Sequence, residues 1–121
     1  MSHEKNFIIK GEIIFDNDIK PIIDATLYVM IENVTYLDEK AELIKLYTKK
    51  NIHYNINTDD NLQFILTLKN LNHHDSYNLR VHIDIDNNNT INIGDYITVQ
   101  SYPLQTSIPI QKLSIQIKQI S

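Results

Sequence analysis

From Tyr77 to Asp86 the chain alternates without a break. Tyr77, Leu79, Val81, Ile83 and Ile85 are apolar, and Asn78, Arg80, His82, Asp84 and Asp86 between them are polar. Side chains of a strand point to opposite faces in turn, so this period of two describes a half-buried strand, apolar face inward. The same residues on a helix would scatter around the axis. Further β-rich runs lie at Phe7 to Phe15, Ala25 to Val34, Leu62 to Lys69, Tyr96 to Tyr102 and Leu113 to Ile120.

The joints between these runs are made without the usual punctuation. The chain holds only two Gly and three Pro. Asn and Asp take over, because they tolerate left-handed backbone and bond their own main chain. Asp16-Asn17-Asp18, Thr58-Asp59-Asp60-Asn61, Asn70-Leu71-Asn72 and Asp86-Asn87-Asn88-Asn89 mark the turns. Strands at this spacing with short polar joints predict an all-β, antiparallel, immunoglobulin-like β-sandwich of seven to eight strands. The length of 121 residues fits one domain over 1–121, with residues 1–6 expected as a disordered N-terminus.

One segment is ambiguous. Leu37 to Lys50 is rich in Glu, Lys, Ala and Leu, and Leu37, Ala41, Ile44 and Tyr47 lie at helical spacing. Local propensity predicts a helix; the run Leu43 to Thr48 also reads as a strand.

Charge excludes whole classes of function. A net charge of −4, with scattered lysines, leaves no basic patch to neutralise phosphates, so no nucleic-acid partner is expected. No apolar run is long enough to cross a bilayer. There is no Cys, which rules out disulfides, thiolate metal sites and a cysteine nucleophile. Met1 to Asn6 carries no apolar signal core and no lipid-accepting Cys, which predicts a cytoplasmic protein, or one of the cell envelope if the sequence has been shortened at its start.

Three constellations invite a chemical reading. Tyr77 opens the long strand just after a polar turn, the layout of a tyrosine corner, in which the ring is buried and the hydroxyl bonds the chain a few residues upstream. His73, His74 and His82 are zinc-competent residue types, but neighbours on a turn seldom face one ion, and a solvated turn accounts for the first two. The loop from Asp84 to Asp95 can be written as a twelve-position calcium loop. Asp84, Asp86 and Asn88 fall at positions one, three and five, the Thr90 carbonyl at seven and Asp95 at twelve. Asn89 replaces the usual Gly at position six, and Asp95 reaches less far than Glu. The competing reading is a plain hairpin decorated with solvated Asp and Asn. No catalytic motif occurs, and a small hydrolase would need a pocket of convergent titratable groups.

A resemblance joins several of these features. Gly11, then Ala25-x-Leu27-x-Val29 running into Ile31-Glu32-Asn33-Val34-Thr35, is similar to the opening of YbaY-type and YscW-type domains. Tyr77-x-Leu79-Arg80-Val81-His82-Ile83-Asp84, followed by Gly94-Asp95-Tyr96-Ile97-Thr98 and Ser101-Tyr102-Pro103-Leu104, resembles their second half. The resemblance implies an immunoglobulin-like sandwich and a strand, not a helix, at Ala41 to Thr48. Characterised members are outer-membrane lipoproteins, and the YscW type is a pilotin that helps a secretin assemble. It implies no catalytic residue. The expectation is therefore a non-enzymatic protein-binding or assembly module with a protein partner and no cofactor, with Ca²⁺ binding at Asp84, Asp86, Asn88, Thr90 and Asp95 as the alternative.

Overall fold

The computed structural model describes residues 5–16, 18–36 and 38–121. Seven strands run β1 (Asn6–Phe15), β2 (Ile22–Asn33), β3 (Glu42–Tyr54), β4 (Leu62–Lys69), β5 (Tyr77–Asp84), β6 (Tyr96–Thr98) and β7 (Ile110–Gln119), with no helix among the described residues. The expected all-β class is observed. The strands join in one sheet of order β3-β2-β5-β6-β7-β1-β4, which curls until its two end strands approach each other. This corrects the sandwich expectation in two ways. One continuous sheet wraps its own core where two facing sheets were expected. It is also mixed, because β1 and β7 pair in parallel from Ile8↔Ile110 to Phe15↔Ile117. Strand spacing does not encode a pairing between the two ends of the chain, so the parallel pair was not visible beforehand.

The alternation rule sets the core. Phe7, Ile9, Ile13 and Phe15 of β1, Leu27, Val29 and Ile31 of β2, Phe64, Leu66 and Leu68 of β4, Tyr77, Leu79, Val81 and Ile83 of β5, and Ile115 and Ile117 of β7 share one buried cluster. The missing member of the β1 row is Gly11. Its cross-strand partner is Phe64, and a Cβ on Gly11 would stand 2.1 Å from the Phe64 ring. The ring fills the place of the absent side chain, a pairing that protects a strand glycine. At one end, Phe15 stacks on Tyr54 with centroids 5.2 Å apart and meets the edge of Tyr96 at 5.2 Å.

Residues 42–54 form a strand, as the family resemblance implies and against helical propensity; Leu37 lies outside the described residues. The reason is tertiary. β2 lies beside β5 with one edge, and the main-chain groups of its other edge pair with β3 from Asn33↔Glu42 to Ile22↔Tyr54. Asp24 and Asn51, both left-handed (φ 56° and 59°), sit at the irregularities of that ladder and bend it.

At the N-terminus, residues 1–4 lie outside the described residues. Asn6 belongs to β1, and Lys5 exchanges hydrogen bonds with Asn70.

Both stretches that carried the family resemblance dock at the start of β5. Asn33 donates to Asp75 and accepts from Thr35, and Thr35 accepts from the Ser76 main chain at 3.0 Å. From the other side, Ser101 and the Tyr102 N–H donate to the Asn78 side chain, and Leu104 N–H donates to the Tyr77 carbonyl. The tyrosine corner forms: the buried Tyr77 hydroxyl accepts the Asn72 N–H at 3.0 Å.

Candidate functional site

The long alternation of β5 ends earlier than the sequence suggests. Hydrogen-bonded pairing stops at Asp84, and Ile85 to Asp95 folds back over the polar face of the strand. Two asparagines pin it there. Asn87 accepts from the Thr26 hydroxyl at 2.5 Å and donates to the Asp24 carbonyl at 2.6 Å, and Asn89 accepts from the Tyr28 hydroxyl at 2.7 Å. Both are left-handed, with φ of 56° and 61°, and Asn89 takes the turn expected of position six. With Asp24, Thr26, Tyr28, Lys50 and Asn51 they line a polar cleft of about 280 Å³.

Beneath the loop lies a polar cluster that alternation alone would place in solvent. His82, Asp84 and Asp95 are 5%, 0% and 1% exposed. His82 Nε2 is 2.8 Å from Asp95 Oδ2, and the Tyr28 ring stacks on the imidazole with centroids 5.6 Å apart. One ligand atom from each of the three residues lies within 4.8 Å of the others. Burying a carboxylate is costly unless donors replace its water, and here they do. Asp84 accepts the N–H groups of Asn88 at 3.4 Å and Asn89 at 2.8 Å. Asp95 accepts those of Ile85 at 3.0 Å and Asn92 at 3.3 Å. Oriented so that its oxygen accepts from Asn88, the Asn92 amide also donates to Asp95 at 3.1 Å. Every buried side-chain polar atom among the described residues has a partner.

Of the five residues placed in the calcium loop, Asp84 and Asp95 come together. Asp86, Asn88 and Thr90 lie on the exposed rim, where Asp86 accepts from the Asn88 amide at 3.2 Å and Thr90 N–H donates to the Asn88 side chain. His82 enters the cluster unannounced. The available signal was two Asp residues flanking a loop dense in Asn, on a strand whose next polar residue is His. The hydrogen bond of the His82 side chain among the described residues runs to Asp95. His73 and His74 are exposed on their turn, their rings 4.0 Å apart.

A second surface is set by β3. Residues 42–46 and 48–51 are exposed on both faces of the strand, and Tyr47 between them is half-buried. Leu43 is 53% and Leu46 49% exposed; across the gap on β4, Ile65 is 60% exposed. β3 and β4 are the two ends of the sheet order, and no ladder joins them among the described residues. Tyr47 and Phe64 touch at this gap, with ring centroids 6.2 Å apart.

No protein-family model matches the chain, and no curated protein matches it. Among solved structures it is similar to an alternative pilotin from the type II secretion system of Vibrio cholerae. The TM-score is 0.73 and the identity 17%, over 97% of this chain and 99% of that one. At that identity the likeness shows a shared fold.

Proposed function

We propose that this chain is a non-enzymatic protein-binding or assembly module. The observation that carries the reading is β3, which exposes apolar side chains on a sheet edge that no strand pairs with among the described residues. An uncovered edge is a template for another chain, and proteins that keep one either blunt it or use it. The likeness to a pilotin, a secretion-system protein by its description, supports the same reading. A photo-crosslinking residue at Leu46, compared with one at the exposed Ile93 in the 85–95 loop, tests it in cells that make the protein. A defined protein adduct from Leu46 and none from Ile93 supports the reading; no adduct from Leu46 removes it.

A second reading, Ca²⁺ held by Asp84, Asp86, Asn88, Thr90 and Asp95, is motivated by the convergence of Asp84 and Asp95 and by the left-handed Asn89. Ca²⁺ binding would have to draw Asp86 and Asn88 away from their present hydrogen bonds. Calorimetry with and without millimolar Ca²⁺ decides it. A bound ion raises Tm by mass action, whereas an unmoved Tm with no binding heat leaves the loop a structural cover for His82.

A further inference from the structure

The seam between β3 and β4 has a chemistry that narrows what can occupy it. The pairings fix its geometry. Each neighbour in the order is antiparallel except β1 and β7, so β3 and β4 run in opposite directions across the gap. The Tyr47 and Phe64 rings meet across the seam, and a groove of about 420 Å³ is lined by Ile44 and Lys45 of β3 and Thr67, Leu68 and Lys69 of β4. The chain as a whole carries −4, yet β3 from Glu42 to Lys50 carries three lysines against one glutamate. Lys45, Lys49 and Lys50 make no ion pair among the described residues. Lys45, Tyr47 and Lys49 pair with Ile31, Val29 and Leu27 and so share one face, with Leu46 and Thr48 on the other; the exposed Ile44 sits at a break in the ladder register.

An occupant must satisfy three demands at once: the main-chain groups of a free edge, an exposed apolar strip and an unpaired row of cations. A helix leaves the first unmet. A second copy of this chain brings the lysine row against its like. We propose that the free edge of β3 takes an extended segment of a partner protein in which apolar residues alternate with Asp or Glu. The inference rests on the reading of the chain as a protein-binding module and adds the partner's chemistry. Its main-chain groups pair with β3, its carboxylates meet Lys45 and Lys49, and its apolar side chains cover Ile44, Leu46 and Ile65.

Displayed random peptides long enough to span β3, selected on the intact protein, test this. The selected sequences should alternate Asp or Glu with apolar residues. The synthesised peptides should shift the amide resonances of residues 43–49, and their binding should weaken steeply with salt. In the double variant Lys45→Glu, Lys49→Glu, affinity for those peptides should fall about tenfold or more, and selection should turn to basic sequences. Three results overturn the proposal: selected peptides without acidic enrichment, selected peptides that map away from β3, or no selected peptide at all. Unchanged peptide affinity in the double variant also overturns it, and would leave the lysines as guards against edge-to-edge pairing. If any of these occurs while Leu46 still crosslinks to a partner, this inference falls and the module reading stands; if Leu46 captures nothing, both fall.

Discussion

The imidazole of His82 and the carboxylate of Asp95 meet at 2.8 Å beneath the 85–95 loop, both nearly sealed from water. Removing one member of a buried pair leaves the other charged or polar group stranded, a loss of about 3–5 kcal/mol. Asp95→Ala should reach that range in urea melts, because the N–H groups of Ile85 and Asn92 lose their acceptor as well. His82→Ala should cost less than Asp95→Ala, since Asp95 keeps its main-chain donors. The reverse order would mean that the loop is not anchored through Asp95.

Gly11 and Phe64 form a size-complementary pair. Gly11→Ala sets a methyl group against a ring in the core, and overpacking of this kind costs about 1–3 kcal/mol. Phe64→Leu in the same chain should recover part of that loss. A double-mutant cycle reads the coupling directly, and strict additivity would show that the ring does not sit over the glycine.

Tyr77→Phe keeps the buried ring but leaves the Asn72 N–H without its acceptor. A cost of about 1–3 kcal/mol follows from a stranded donor. An unchanged denaturation midpoint would show that the corner hydrogen bond contributes nothing.

Two phenols give a pH dependence of known sign. Burial raises the Tyr54 hydroxyl above its ordinary value, with the negative charges of Asp59 and Asp60 adding to the effect, and burial alone raises Tyr96. Above about pH 10 the unfolded chain releases these protons before the native state does. The native state then binds more protons than the unfolded one, so stability falls as pH rises. Their contribution should be flat below about pH 10 and decline above it. The comparison is with Tyr54→Phe, whose urea midpoint should fall less steeply with pH.

Much of this architecture was legible because it is local. Alternation placed β2, β4 and β5 with most of their inward residues, β1 was legible as a β-rich run, and the Asn and Asp clusters marked the turns. What was illegible depends on residues far apart in the chain. The parallel β1–β7 pair joins the two ends. β3 is held as a strand by the edge of β2, against the helical bias of its own residues. His82 and Asp84 obey the alternation and point to the polar face, but the loop that buries them folds back through Asn87 and Asn89 onto β2, a contact no periodicity encodes. The lysines look scattered along the sequence; those of β3 gain meaning once the strand proves to stand at the end of the sheet.

On the reading proposed above, β3 is the edge on which a partner docks. Amide hydrogen exchange, measured on the protein alone and on the complex captured through Leu46, tests it most directly. In the free protein the amides of residues 43–49 that face the gap should exchange far faster than those of Leu79 to Ile83 in the middle of the sheet. In the complex, alternate amides of 43–49 should slow by about tenfold or more, with those of Leu79 to Ile83 unchanged. Protection that appears instead in residues 85–95, with β3 unaltered, would contradict the account and move the docking surface to the loop.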